Sequence, residues 1–210
     1  GLVLGSFKTE GLIRRVGHIR AFSAFASILT VTTLTQALYF DTYLWLLLRL
    51  ITGFATAVLY VVIESWLLVI SKVDNRGKII AIYMVVLYLG QALSQAFIKS
   101  VEPAWIMPFI IVGITSSLSV IPLAMTNIAT PQIEEPTTLN LLKMFKASKS
   151  GVIACFASGL LLSPIYGLFP LYLINKTNDN DLVALFMFII IFGGMLLQYP
   201  VGKISDRLER

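Results

Sequence analysis

Two charged side chains lie inside one long hydrophobic run of the sequence. Arg49 stands near one end of the run, and Glu64 follows within Val61-Val62-Ile63-Glu64-Ser65-Trp66. On a helix, the 15-residue gap corresponds to about 22 Å along the axis and about 60° around it. The two side chains therefore cannot pair directly, but they can line the same cavity. A charge within a membrane-spanning helix is costly and marks a candidate functional site.

Each of these two residues has a functional and a simpler interpretation. A carboxylate in a partly dry cavity can bind and release a proton, so Glu64 is the candidate titrating group. Alternatively, Glu64 bonds to Arg76 or Lys78 near the membrane surface. Arg49 either contacts a solute or extends outward as an interfacial anchor.

Three polar residues on the following run could also line a solute pathway. Gln91 and Gln95 are one helical turn apart and share a face, and Tyr88 precedes them. The alternative is that the two amides form hydrogen bonds between helices, as polar side chains in membranes often do.

A later run is interrupted by helix-breaking residues. It contains Ser163-Pro164-Ile165-Tyr166-Gly167-Leu168-Phe169-Pro170-Leu171-Tyr172. Proline removes a backbone donor and bends a helix, which leaves carbonyl groups free. Interrupted helices are typical of gates and binding sites in transporters. We therefore predict that Pro164, Gly167 and Pro170 act in gating and that Tyr166 and Tyr172 lie near a solute.

A glycine-led basic segment occurs twice. The first copy is Gly11-Leu12-Ile13-Arg14-Arg15-Val16-Gly17-His18-Ile19-Arg20, and the second is Gly202-Lys203-Ile204-Ser205-Asp206-Arg207-Leu208-Glu209-Arg210. Glycine permits close helix approach at a bend, and the charges could form a clasp that breaks and re-forms. The alternative is that these bases are ordinary anchors on the cytoplasmic side.

The composition indicates an all-α, polytopic membrane protein. Hydrophobic residues make up 57% of the chain and charged residues 13%, against about 25% charged in soluble domains. A spanning helix needs about 20 apolar residues. Six runs qualify, with the tail of an earlier helix before them: Ile19–Phe40, Tyr43–Ile70, Ile79–Ile98, Ala104–Thr126, Gly151–Ile174 and Leu182–Val201.

Most of the basic residues lie in alternate connections between these runs. Because bases mark the cytoplasmic side, the connections that carry them are predicted to be cytoplasmic: 8–20, 71–78, 127–150 and 202–210. Six crossings then return the chain to the side on which it started. The net charge of +5 is explained by this topology, and nucleic acid is not predicted as a partner.

The glycine-led segments resemble the loop signature of the major facilitator superfamily. Its approximate pattern is Gly-x-x-x-Asp-Arg-x-Gly-Arg-Arg. Gly202, Asp206 and Arg207 match in the second copy, where Glu209 replaces a glycine. The residues that match in the first copy are Gly11, Arg15, Gly17 and Arg20, and Arg14 occupies the position of the usual acid.

Further motifs support the resemblance. Arg49-Leu50-Ile51-Thr52-Gly53 is similar to the Arg-x-x-x-Gly signature of helix 4 in that superfamily, which would give Gly53 a conformational role. Asn75-Arg76-Gly77-Lys78 and Gln198-Tyr199-Pro200-Val201-Gly202, together with Ile63-Glu64-Ser65 and the interrupted run, resemble its YcaD-like branch. That branch implies a bacterial inner-membrane protein.

The resemblance implies a major facilitator fold from the end of helix 2 to helix 8, so the chain is expected to be a fragment. Residues 1–126 would belong to the N-terminal half, 127–150 to the cytoplasmic loop between halves, and 151–210 to helices 7 and 8. The implied function is secondary transport of a small solute by alternating access, in a monomer. Proton coupling is a separate hypothesis that rests on Glu64.

Other function classes are weighed against this one. No Gly-x-Ser-x-Gly segment, intramembrane carboxylate pair or His/Cys cluster with metal spacing occurs, and Cys155 is the only cysteine. An enzyme, a bound metal and a cofactor are therefore not predicted. A uniporter without ion coupling and a receptor or sensor built on a transporter scaffold stay open as alternatives.

Overall fold

A computed structural model describes residues 1–71, 75–100, 106–125, 145–146 and 148–208. Within these ranges it contains nine helices of at least five residues: α1 (Leu2–Val16), α2 (His18–Leu38), α3 (Thr42–Ile70), α4 (Arg76–Ser100), α5 (Met107–Leu118), α6 (Val120–Ala124), α7 (Lys149–Gly167), α8 (Phe169–Thr177) and α9 (Asn180–Leu208).

The six predicted membrane runs are confirmed as helices of membrane-spanning length and composition. The spans are His18–Leu38, Thr42–Ile70, Arg76–Gln95, Met107–Ala124, Lys149–Thr177 and Asn180–Gln198. The fifth combines α7 with α8, and the fourth combines α5 with α6. The sequence predicted the interruption between α7 and α8 but not the one between α5 and α6, which lies at Ser119.

Local sequence explains where several helices begin and end. Asp41 caps α3, because its carboxylate accepts a hydrogen bond from the Leu44 amide at 2.8 Å. Ser148 caps α7 in the same way through the Gly151 amide, as short polar side chains commonly do. Asn178 ends α8 with a left-handed φ of 53°, a conformation that asparagine tolerates better than most residues.

Two segments that the sequence assigned to cytoplasmic connections, 8–20 and 202–210, are largely helical. In segment 8–20, only Gly17 interrupts α1 and α2, with φ at 83°. This backbone conformation suits a residue without a Cβ. In segment 202–210, α9 continues to Leu208. Loop 71–78 is short, because α4 begins at Arg76, and most of loop 127–150 lies outside the described residues.

Alpha1 and α3 pack closely because small residues lie between them. A Cβ built on Gly5 would lie 2.7 Å from both the Ala57 Cβ and the Phe54 carbonyl oxygen. Thr9, one turn further along α1, is fully buried, and its hydroxyl donates to the Gly5 carbonyl at 2.7 Å. Small residues at such spacing let two membrane helices approach each other's backbones.

Alpha2 joins this pair through an apolar cluster. Its buried members come from α1, α2 and α3: Ile13, Ala21, Phe22, Ala26, Val58 and Val62. On another side, α2 contacts α5, where the Ser116 hydroxyl donates to the Ala26 carbonyl at 3.1 Å. Four helices are thereby held together around α2 and α3.

The chain divides into two compact units. Unit 1 comprises Gly1–Ile82 and Val101–Glu134, and unit 2 comprises Tyr83–Ser100 and Glu135–Arg210. Alpha4 therefore contributes its first residues to unit 1 and the remainder to unit 2. The division of the chain at 126 and 150 that the sequence suggested stays a prediction.

Candidate functional site

The α3 helix has one face packed in unit 1 and one face exposed. Its buried side chains, which include Ala55, Val58, Val62 and Trp66, turn toward the other helices of that unit. Arg49 and Glu64 are both exposed. Helix geometry places them about 60° apart around the axis, so the predicted common face exists.

Tyr60 lies on the same exposed face of α3 and was not singled out from the sequence. It is 40% exposed, and it lies one turn before Glu64 and about 20° around the axis from Arg49. Its spacing from Arg49 and Glu64 in the sequence places Tyr60 on the same helix face, and this spacing could have identified it. The exposed face of α3 that carries Arg49, Tyr60 and Glu64 is called here the polar face of α3.

The Arg49 guanidinium is placed by an aromatic neighbour. Its central carbon lies 5.3 Å from the centroid of the Trp45 ring, within the range of a cation–π interaction. The Trp45 indole is fixed in turn, since its N–H donates to the carbonyls of Gln36 and Tyr39 at 3.2 and 3.0 Å. Arg49 is thereby tied to the end of α2.

A buried chain of hydrogen bonds connects α2 to α3 next to this contact. The Gln36 amide donates to the Thr52 hydroxyl at 3.1 Å, and that hydroxyl donates to Thr32 at 3.1 Å. The Thr32 hydroxyl donates to the Ile28 carbonyl at 2.9 Å. Gln36 and Thr32 are 2% and 5% exposed. Sequence analysis missed this network, because three separate polar residues in apolar runs do not reveal their partners.

We predict that Thr52→Val lowers the stability of unit 1, because the isosteric side chain can neither accept from Gln36 nor donate to Thr32. Hydrogen bonds between membrane helices contribute about 0.6 kcal/mol each on average, so the expected loss is about 1 kcal/mol, or about 2 to 4 °C in the thermal midpoint. The measurement is thermal unfolding in detergent micelles.

The matched control for this substitution is Thr35→Val. The Thr35 hydroxyl donates only to the Val31 carbonyl of its own helix, at 2.8 Å and in an exposed position. Its loss is expected to leave the midpoint unchanged. Equal midpoints for the two variants would show that the buried network adds no stability.

In unit 2, the polar residues predicted on α4 are half-buried. Tyr88, Gln91 and Gln95 all have intermediate exposure, whereas Leu93 and Ser94 are exposed. Neither glutamine amide forms a hydrogen bond within the part of the chain that the structure describes. The predicted common face of the two glutamines is therefore present, and its role stays a prediction.

The predicted interruption of the proline-containing run is present between α7 and α8. Alpha7 ends at Gly167 and α8 begins at Phe169. Because proline lacks an N–H, Pro164 and Pro170 cannot donate to the carbonyls of Leu160 and Tyr166. Beside the break lies an open groove of about 280 Å³, lined by the apolar residues of both helices: Pro164, Ile165, Leu168, Phe169 and Tyr172.

Both predicted tyrosines lie at this break. Tyr172 lines the groove, its ring stacks on Phe169 with centroids 6.5 Å apart, and its hydroxyl accepts from the Lys176 ammonium at 3.4 Å. Tyr166 is 40% exposed and lies directly before the last residue of α7.

The residues predicted to form the clasp have different surroundings. Arg14, Arg15 and Arg20 are exposed around the Gly17 turn. A Cβ on Gly11 would meet no atom within 4 Å, so the close approach expected at Gly11 was wrong. A Cβ built on Gly53 would lie 3.3 Å from the Leu2 nitrogen, so Gly53 does lie where two helices approach closely. Gly202, Asp206 and Arg207 lie in the last turns of α9.

Among the described residues, no group of three metal-ligating side chains occurs. The described residues combine six helices of membrane length, charges on an exposed helix face and a proline-interrupted helix. These features define a polytopic membrane protein with features of a transporter.

The chain belongs to the major facilitator superfamily. A family model described as Major Facilitator Superfamily matches residues 1–210, and this membership places the chain among transporters rather than enzymes. The superfamily and fold class predicted from the loop signatures are confirmed.

The similarity to YcaD is confirmed as well. Over its whole length the chain is 29% identical to the MFS-type transporter YcaD of Escherichia fergusonii. It is 30% identical to the YcaD transporters of Escherichia coli O45:K1 and O81. These relatives are described as uncharacterized, and the chain spans about half of their length, 56%. No solved structure matches the chain.

Proposed function

We propose that the protein is a secondary active transporter that moves a small solute across the bacterial inner membrane by alternating access, coupled to protons. The observation that carries this proposal is the polar face of α3. Arg49 and Glu64 lie on a helix of 29 residues with a mean hydropathy of 2.2 over its most apolar window, and both are exposed.

Exposed charges on such a helix have a limited set of possible environments. A charge at the centre of a bilayer costs about 2.5 kcal/mol or more, and side chains nearer the helix ends reach the interface at a lower cost. Arg49 and Glu64 lie about 10 Å and about 12 Å from the middle of α3, so the polar face of α3 is disfavoured against lipid by less than this figure. A water-filled passage solvates Arg49 and Glu64 without that cost. This argument supports placing the polar face of α3 along the solute pathway.

Each polar residue then has a defined role in the proposal. Arg49, oriented by Trp45, binds an anionic or polar group of the solute, and Glu64 carries the coupled proton. Unit 2 is considered by itself: Gln91 and Gln95 of α4, with Tyr88, are proposed to offer hydrogen bonds to a solute, and Tyr166 and Tyr172 to lie near one. Pro164, Gly167 and Pro170 are proposed to let the interrupted helix bend in gating.

The test is solute-driven proton movement by the complete gene product in energised inside-out vesicles. Dye-reported proton release is followed against a panel of sugars, organic acids, amino acids and cationic drugs. We expect one class to evoke release, and vesicles without the protein give the baseline. Solute uptake that proceeds without proton movement would indicate a uniporter. Binding without uptake would indicate a receptor or sensor and would contradict the proposal.

A further inference from the structure

Two buried polar atoms in unit 1 have no hydrogen-bond partner. They are Nε2 of His18 and Nε1 of Trp66, and among the described residues no other buried side-chain nitrogen or oxygen shares this state. His18 is 1% exposed and Trp66 is 8% exposed. An unsatisfied buried polar group costs about 1 to 3 kcal/mol, so two of them in one place require an explanation.

The two side chains are neighbours. The ring centroids of His18 and Trp66 are 6.4 Å apart, and the ring planes are inclined by 27°. The surroundings are apolar, since Phe22, one turn after His18, and Val62, one turn before Trp66, both belong to the buried cluster of unit 1. The two nitrogens do not bond each other, and no other described protein group bonds to either.

The chemistry of the two nitrogens restricts what can bind them. The Trp66 indole N–H can only donate, whereas Nε2 of a neutral imidazole accepts or donates according to the tautomer. A water molecule satisfies both nitrogens in either tautomer. A metal cation would face the positive end of the indole N–H dipole. A larger polar ligand would require more space than two side chains buried to more than nine-tenths leave.

We propose that one buried water molecule binds between His18 and Trp66, accepting from the indole Nε1–H and donating to the imidazole Nε2. Each hydrogen bond is about 2.9 Å long, so one water with near-tetrahedral geometry spans two nitrogens about 4.7 Å apart. The imidazole is then neutral, with its proton on Nδ1.

This water acts as a positioning element. His18 is the first residue of α2 and follows the Gly17 turn, around which Arg14, Arg15 and Arg20 are exposed. Trp66 lies in the last turns of α3. The water therefore adds a hydrogen-bonded link between the start of α2 and α3, beside the direct contact of the His18 and Trp66 rings.

The test is NMR of the complete gene product in lipid nanodiscs, with ¹⁵N-labelled tryptophan and histidine. The Trp66→Phe variant assigns the Trp66 indole signal. We expect the Trp66 Nε1–H proton at a hydrogen-bonded, downfield position with a cross peak to a long-lived water. The ¹⁵N shifts of His18 should be those of the Nδ1–H tautomer. Trp45, whose indole donates to two carbonyls, is the reference for a bonded indole.

A second variant separates the water from a general effect on the fold. In His18→Phe, the Trp66 water cross peak should disappear while the Trp45 signal stays in place. A Trp66 indole proton at the upfield position of an unbonded group, or a downfield one without a water cross peak, would overturn the proposal. These outcomes are read from the unmodified protein, so the proposal stays testable even if His18→Phe fails to fold. Because no transport is measured, they are also independent of the proposed function.

Discussion

Replacing Gly5 by leucine is expected to disrupt the packing of α1 on α3. A Cβ at this position already lies 2.7 Å from the Phe54 carbonyl oxygen and the Ala57 Cβ, and neither atom can move as the end of a flexible side chain could. Overpacking of a tight interface costs about 1 to 3 kcal/mol. A loss of about 3 kcal/mol corresponds to about 6 to 12 °C in the thermal midpoint of a chain of this size.

The same substitution at Gly11 provides the control within the same helix. A Cβ on Gly11 meets no atom within 4 Å, so a leucine there can extend without a clash. The two variants are compared by thermal unfolding and by their yield as monodisperse protein in detergent. We expect the Gly11→Leu midpoint to stay close to that of the unmodified protein. Equal destabilisation of both variants would show that the close approach at Gly5 does not limit stability.

Glu64→Gln is expected to abolish solute-driven proton movement while leaving solute exchange intact. The amide keeps the size of the carboxylate and one acceptor oxygen, but it cannot bind or release a proton. Counterflow exchanges labelled for unlabelled solute and requires no net proton transfer, so it should persist. The measurements are dye-reported proton release and counterflow in the same vesicles. We expect proton release to fall to the level of vesicles without the protein.

Glu10→Gln is the matched control for Glu64→Gln, because it makes the same chemical change on α1, outside the polar face of α3. It should leave both activities unchanged. Normal proton release in Glu64→Gln would assign coupling to another group and leave Glu64 a structural role. Loss of counterflow together with proton release would place Glu64 in solute binding instead.

The sequence was sufficient to predict the membrane helices but not their contacts. Each of the six predicted runs overlaps an observed span, because length and hydropathy are properties of a segment on its own. The break between α7 and α8 was also predictable, since Pro164 and Pro170 impose it locally. The Ser119 interruption was missed, although Pro122 lies three residues beyond it and, without an N–H, cannot donate to the carbonyl of Leu118 at the end of α5.

Contacts between helices depend on which face of each helix meets its neighbour. Gln36, Thr52 and Thr32 could each have faced lipid, a cavity or another helix, and their hydrophobic flanks do not distinguish these cases. His18 was assigned to a basic loop because its neighbours in sequence are charged, whereas the start of α2 buries it beside Trp66. Among the candidate site residues, the common face of Arg49 and Glu64 followed from helix geometry.

The near-contact of backbones at Gly5 also has a mechanical consequence. Two helices that touch along their main chains have few flexible side chains between them to absorb a shear displacement. A displacement of the basic turn at Gly17 would therefore move α1 and α3 together. In a molecule that alternates between two conformations, α1 and α3 would move as one rigid body, and the conformational change would be concentrated in more flexible segments elsewhere.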